Sequence, residues 1–270
     1  MEMLFKRENY LKKIRGFYHD TEIIKVITGV RRCGKSSLME IIKSELIESG
    51  IPKENVIYLD MDSRKYRKIK SDTEFENLIE SMSVANGKKY LFVDEIQNVA
   101  SFEEVINAFR GEGEHSIFIT GSNSYLLSGE LATKLTGRYI EFEMFPLSFE
   151  EYLSMKNFYG QEINANLMIE LNNYLLEGGF PKTIQYTDLA DKRTYVRSVI
   201  DEIFEKDIRQ RVKIRNKEVF EKVRNYILNN FGATTNPGNI IADLSKNGLN
   251  IKRETLNRYI KALTDAKNPV

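Results

Sequence analysis

Gly29-Val30-Arg31-Arg32-Cys33-Gly34-Lys35-Ser36 keeps the spacing G-x-x-x-x-G-K-[ST], the pattern of a backbone loop that wraps a phosphate chain. The two glycines let the chain fold around an anion, successive N–H groups and the positive end of the following helix hold it, and the lysine reaches the outer phosphates. On this reading Gly29, Val30, Arg31, Arg32, Cys33, Gly34, Lys35, Ser36 and Ser37 line the nucleotide, with Lys35 on the β/γ oxygens and the Ser36 hydroxyl on Mg2+. Further along, the apolar run Tyr90 to Val93 ends in Asp94-Glu95. Two adjacent acids at the end of a buried strand can divide the work of phosphoric anhydride hydrolysis. Asp94 would hold Mg2+ through water, and Glu95 would orient and deprotonate the attacking water. A third contributor belongs at the end of the strand between these two. Ser116 to Thr120 followed by Gly121-Ser122-Asn123 fits, with Ser122 the first candidate and Asn123 the second, although turn chemistry accounts for the same tripeptide.

The base is read by exclusion. A guanine site of the P-loop class needs Asn/Thr-Lys-x-Asp, and both Asn216-Lys217-Glu218-Val219 and Thr133-Lys134-Leu135-Thr136 lack the aspartate. ATP with Mg2+ is therefore the expected cofactor pair. Cys33 reads as a small loop residue rather than a nucleophile, because neither His19 nor His115 lies near it in sequence.

These residues need a parallel sheet to position them. Strand and helix patterns alternate from residue 22 to about 145, as crossover helices on an α/β sheet require. The expected strands are Glu22 to Thr28, Val56 to Asp60, Tyr90 to Asp94, Ser116 to Thr120 and Tyr139 to Met144. The expected helices are Lys35 to Ser49, Asp72 to Ser83, Ser101 to Arg110 and Ser124 to Lys134, with Ser101 and Glu104 spaced as a capping box. After Pro146 only helical periodicity follows, over Ser148 to Met155, Asn166 to Glu177 and Lys192 to Arg211. Three short helices close the chain, Lys217 to Asn230, Asn236 to Asn247 and Lys252 to Asp265, in a helix-turn-helix arrangement. The expected domains are thus a P-loop core over 1–146, a helical lid over 147–212 and an incomplete winged-helix-like domain over 213–270. No hairpin follows the third helix, so the chain reads as a fragment of a longer protein.

Composition narrows the class. With 41% hydrophobic and 29% charged residues, the chain can build cores and does not read as disordered. No window approaches about 18 consecutive apolar residues, so no membrane span is expected. A single cysteine excludes an intrachain disulfide framework and a Cys-rich zinc site, which makes a reducing cytoplasm the default. The net charge of +1 is unevenly spread. Residues 211–270 hold 12 Lys and Arg against 5 Asp and Glu, whereas residues 1–210 hold 28 against 34. The last helix would turn Leu256, Ile260 and Leu263 inward and leave Lys252, Arg253, Asn257, Arg258 and Lys261 outward, a division that suits duplex DNA and equally a solvated face.

With these motifs in order the sequence resembles the AAA-type P-loop ATPases of bacteria and archaea, many of which carry a C-terminal nuclease-like domain of unknown function that is absent here. The resemblance covers nearly the whole chain and rests on Lys25 to Ser36, Phe92 to Gln97, Ile119 to Ser124, Leu135 to Tyr139, Phe145 to Leu153 and Gly178 to Pro181. It extends more loosely to origin-recognition and STAND-type ATPases. The resemblance implies that Arg138 can serve as an arginine finger on a neighbour's γ-phosphate in a homo-oligomer, the alternative being a surface arginine paired with Glu130 or Glu141. It also implies that Pro181 packs near the adenine, the alternative being a plain helix-ending turn. Two functions stand side by side. One is an ATP-driven switch that repositions the C-terminal helices. The other is a DNA-binding regulator or protein-interaction scaffold in which the nucleotide is mainly structural.

Overall fold

The computed structural model describes residues 3–121, 135, 137–208, 214, 216–230, 232–234, 236–246 and 248–265. The chain divides into two compact units, Met1–Val196 and Arg197–Val270.

The first unit is an α/β layer. A short helix α1 (Glu8–Ile14) precedes β1 (Ile24–Gly29), α2 (Lys35–Glu48), β2 (Val56–Asp60), α3 (Asp72–Met82), β3 (Lys89–Asp94), α4 (Phe102–Glu112), β4 (His115–Thr120) and β5 (Tyr139–Met144). The five strands form one parallel sheet in the order β2-β3-β4-β1-β5. Strands β1, β3 and β4 are buried along their whole length because helices cover both faces. Ile27, Phe92, Phe118 and Met144 pack with Leu11 of α1 and Leu38 of α2 on one face. Val26, Leu59, Val93 and Ile119 pack with Phe75 of α3 and Ile106 of α4 on the other. The period-2 alternation of strand side chains thus supplies two cores from one set of strands. Helices α5 (Phe149–Phe158) and α6 (Leu167–Glu177) follow the sheet, and α7 (Leu189–Ile203) runs past the end of the unit.

Three element expectations are corrected. Ser101 does not cap α4: it adopts φ 51°, ψ 28°, with no side-chain cap bond. A capping hydroxyl needs an extended backbone to reach the helix amides, and a left-handed residue turns it away. Full capping boxes form instead at Ser71 with Glu74 and at Ser148 with Glu151. Helix α7 begins before Lys192 because the Asp188 carboxylate accepts from the Ala190 amide and starts the helix there. It gives way to a π-helical turn over Phe204–Ile208. The helix expected over Ser124 to Lys134 lies outside the described residues.

The second unit carries α8 (Lys217–Asn229), α9 (Pro237–Lys246) and α10 (Arg253–Asp265). Phe220, Ile227, Leu244, Leu256, Tyr259 and Leu263 form its core. No strand occurs in this unit among the described residues.

Candidate functional site

Every strand of a parallel sheet ends at the same edge, and loops and helix N-termini gather there. Gly29 closes β1, Asp94 closes β3, Thr120 closes β4 and Met144 lies beside Gly29 in register. Asp94 stands two strand spacings from β1, roughly 10 Å across β4. The sheet order therefore brings the phosphate-loop residues and the acid pair to one edge.

Gly29 and Gly34 both adopt left-handed backbone, at φ 146° and 107°. A Cβ at Gly29 would lie 2.3 Å from the Met144 carbonyl oxygen, so no other residue fits between β1 and β5 there. Gly34 offers no capping side chain at the N-terminus of α2, which leaves the first amides of that helix for an anion. Lys35 is buried, with Nζ donating to the carbonyls of Gly29 at 3.0 Å and Val30 at 3.1 Å. Its ammonium is thus held across the mouth of the loop. Ser36 and Ser37 are exposed on the first turn of α2. Arg32 takes φ 64° within the loop, and Arg31 is half-buried. Cys33 is fully buried, and burial pushes its thiol above the ordinary value, which suits a packing residue and not a nucleophile.

Asp94 is buried, and its Oδ1 accepts from the Thr120 hydroxyl. Its Oδ2 accepts from the Tyr58 hydroxyl at 3.4 Å. Thr120 is itself fully buried, and the same hydroxyl oxygen accepts from the Glu95 amide at 3.1 Å. One hydroxyl therefore spaces both acids. Glu95 sits at φ 54°, a conformation that costs a residue with a side chain about 1–3 kcal/mol. Strain of this kind persists only where the surroundings impose it, and here the Thr120 bond does so. The Gln97 amide donates to Glu95 Oε2, while Gln97 Oε1 is buried with no hydrogen-bond partner among the described residues. Tyr58 loses ionisation, its hydroxyl pushed up by burial and by the charges of Asp94, Glu40 and Asp60.

Three residues not assigned from sequence complete the edge. Thr120 and Tyr58 hold Asp94, and a polar residue closing an apolar strand was the available signal for the first. The third is Arg7, just before α1. It is buried, with Nη1 donating to the Cys33 carbonyl at 3.0 Å and to the Phe145 carbonyl at 2.8 Å. Its Nε and Nη2 grip both oxygens of Glu151 on α5. Tyr10 lies under the guanidinium, 4.6 Å from the ring centroid, and its hydroxyl accepts from the Phe145 amide.

Pro181 is brought to the same place. Its Cγ lies 4.0 Å from where a Cβ at Gly34 would stand. The approach depends on Gly179, whose missing side chain would meet the Leu147 carbonyl at 2.8 Å, and whose own carbonyl accepts from the Leu147 amide. Arg138 is not brought there. The Ile24 amide donates to its carbonyl at the start of β1, and its guanidinium donates to Asn107 on α4. The six residues of β5, roughly 20 Å of strand, separate it from Met144. It cannot reach the phosphate loop of its own chain. Ser122 and Asn123 lie outside the described residues.

Within the second unit, Lys252, Arg253, Asn257, Arg258 and Lys261 are all exposed. Leu256 and Leu263 face inward as expected, while Tyr259 takes the central inward place and Ile260 is only half-buried. Among the described residues no helix is long and apolar enough to cross a membrane.

Residues 21–153 match the family described as an AAA domain, and residues 168–268 match a domain of unknown function. Over 97% of its length the chain is 37% identical to an uncharacterized protein of Haemophilus influenzae. Over 98% it is 34% identical to an uncharacterized protein of Methanocaldococcus jannaschii. The chain spans 65% and 61% of those two proteins. Among solved structures it is similar to the Aeropyrum pernix ORC1 protein in complex with DNA, with TM-score 0.49 and 14% identity over 98% of this chain and 85% of that one. It is also similar to AMPPCP-bound DnaA from Aquifex aeolicus, with TM-score 0.48 and 14% identity over 97% and 88%. Residues 21–153, the stretch that carries the phosphate loop and the acid pair, thus match the AAA-domain family.

Proposed function

We propose that this protein binds Mg-ATP at Gly29 to Ser37 and hydrolyses it, and that the nucleotide state sets the position of its C-terminal helices. The observation that carries hydrolysis is the joint hold of Thr120 on Asp94 and on the strained Glu95. A site that only stored nucleotide would not need the second acid held in a costly backbone conformation.

The chain's own residues divide the chemistry as follows. The amides of Gly29 to Ser36 receive the phosphates, and Lys35 exchanges the Gly29 and Val30 carbonyls for the β/γ oxygens. Pro181 borders the base. Glu95 accepts the proton of the water whose oxygen attacks the γ-phosphorus, as the bond to the β–γ bridging oxygen breaks and ADP carries off that electron pair. The donor set fits magnesium, which takes hard oxygen ligands and few of them from protein. Ser36 Oγ and, through water, Asp94 would hold it. When bound, the ion neutralises charge on the phosphoryl group in flight. Among the described residues no cluster of three or more His, Cys, Asp or Glu forms a cage for another metal.

Two finer roles rest on placement. Arg138, out of reach of its own loop, is assigned to a neighbouring copy's nucleotide in a homo-oligomer. The exposed cations of α10 are assigned to duplex DNA, with Asn257 facing a base edge.

The test is paired. Saturating Mg-ATP at about 100 times its dissociation constant should stabilise the protein by roughly 2.7 kcal/mol. A melting shift that persists in Lys35→Ala would show that the nucleotide binds elsewhere. Glu95→Gln should bind ATP normally while phosphate release falls by about 10² to 10⁴. Undiminished release would remove Glu95 from the chemistry.

A further inference from the structure

Residues 1–210 as a whole are acidic, yet Ser63-Arg64-Lys65-Tyr66-Arg67-Lys68-Ile69-Lys70 holds five cations and no acid. It joins β2 to α3, beyond Asp60 at the same sheet edge as Asp94. A run this charged would ordinarily be a loose solvated loop. Here its backbone is built. The Ser63 carbonyl accepts from the Tyr66 amide at 3.2 Å and from the Arg67 amide at 2.8 Å, closing one helical turn, and the Tyr66 carbonyl accepts from Ile69 at 2.9 Å. Tyr66 and Met61 are buried in the core under α3, and Ile69 packs against it. Both ends are tied to the segment that carries the acid pair. The Met61 amide donates to the Asp94 carbonyl at 3.0 Å, the Ala100 amide to the Lys70 carbonyl at 2.8 Å, and Lys70 Nζ to the Asn98 carbonyl at 3.3 Å.

On this turn Arg64, Arg67 and Lys68 stand at i, i+3 and i+4, a spacing that puts them on one face. All three are exposed, as are Lys65 and Lys70. Lys65 lies 4.7 Å over the Tyr66 ring. Three nearby carboxylates are engaged by backbone amides, Asp60 by Asp62, Asp72 by Thr73, and Glu74 by Lys70 and Ser71, while Asp62, just before the run, is exposed and is the one acid beside five cations. Among the described residues, no ion pair joins Arg64, Lys65, Arg67 or Lys68 to an acid. The fold thus holds a row of cations in excess on an ordered turn, which lowers the entropy cost when they meet a row of anions.

We propose that residues 63–70 form a second nucleic-acid surface, one that grips the phosphate backbone of a duplex without reading its sequence. Burial of Tyr66 leaves no aromatic platform for an unstacked base, so the surface suits the regular phosphates of a duplex and not a single strand. The proposal adds a surface in the first unit to the duplex partner assigned to α10. It stands whether or not α10 touches DNA or ATP is hydrolysed.

The experiment measures binding of a fluorescein-labelled duplex to the whole chain at low salt and across a salt series. The variants are Arg64→Glu/Arg67→Glu/Lys68→Glu, the corresponding triple alanine, and Arg253→Glu/Arg258→Glu. The first should weaken binding at least about tenfold, with the log–log salt slope falling by about 0.9 for each phosphate no longer neutralised. The alanine triple should fall in the same direction, and its unchanged melting temperature would show that folding is intact. Binding of both loop triples within about twofold of wild type would overturn the proposal, as would absence of duplex binding by the wild type. Displacement of the duplex by polyglutamate at equal charge would also overturn it, by pointing to an acidic protein. Loss of ATP affinity in Lys35→Ala leaves this measurement untouched, so the two readings fail separately.

Discussion

Arg7 and Glu151 meet through two hydrogen bonds, 2.8 Å from Nε to Oε1 and 2.6 Å from Nη2 to Oε2, with both side chains buried. The remaining nitrogen of the fork donates to the carbonyl of Cys33, inside the phosphate loop. One guanidinium therefore joins the N-terminal helix, the loop and α5. Removing one partner of a buried pair strands the other charge, so Arg7→Ala should destabilise the protein by roughly 3–5 kcal/mol in urea melts. Arg7→Lys should recover little, because an ammonium cannot grip both oxygens at once. An effect under about 1 kcal/mol would place the pair in the range of surface ion pairs.

The same pair sets an acid limb. Burial pushes the Glu151 carboxyl up, but the bonds from Arg7 and from the Ser148 amide and hydroxyl outweigh it and hold the group below its ordinary value. A carboxylate lowered in the folded state contributes stability above its unfolded value near 4.5 and loses it as pH falls through the folded one. Glu151→Gln should flatten the pH dependence of the urea midpoint below that value. An unchanged acid slope would assign it to other carboxylates.

Thr120, fully buried, bonds to both the Asp94 carboxylate and the Glu95 amide. Thr120→Val keeps the shape and removes the hydroxyl. Turnover should fall by about 10² for an acid displaced on the order of 1 Å, with ATP affinity nearly unchanged. A loss confined to KM would make Thr120 a binding residue.

Lys25 titrates where few lysines do. Burial, the largest effect, pushes its ammonium down to about 7; the charge of Asp20 opposes this and that of Lys88 adds to it. Nζ donates to the carbonyls of Asp20 and Ile23 and to Ser116 Oγ, and lies 4.6 Å over the Phe118 ring. The unfolded chain binds this proton more tightly, so stability should rise as pH rises from about 7 towards the ordinary lysine value of 10.5. The slope should approach about 1.4 kcal/mol per pH unit from this group. Lys25→Met should remove that slope, read as urea midpoints across the window. A slope that survives would come from other groups.

Arg138 gives the test of assembly. Turnover per molecule should rise with protein concentration and fall in Arg138→Ala. Mixing Arg138→Ala with Lys35→Ala, each inactive alone, should restore activity at interfaces that combine one intact loop with one intact arginine. Concentration-independent turnover without recovery would confine Arg138 to its bond with Asn107.

Sequence alone determined what depends on neighbours in the chain. Binding a phosphate row takes consecutive amides, so Gly29 to Ser36 appears as one unbroken pattern between a strand and a helix. Strands β2 and β5 were legible to the residue from apolar and β-branched runs closed by Asp60 and Met144. Caps were legible only in part. Ser101 carries the right letters, but its left-handed backbone turns the hydroxyl away. Tertiary structure decided what depends on distant parts of the chain. Thr120 meets Asp94 across 26 residues, Tyr58 meets it across 36 and Arg7 meets Glu151 across 144, separations at which no local spacing signals a partner. Parallel strand order put Arg138 at the far edge of the sheet from Gly29, a fact absent from the letters around it. Charge counts over long windows likewise hid residues 63–70, because a hydrogen-bonded turn anchored by Tyr66 and Ile69, and not composition, sets where five cations point.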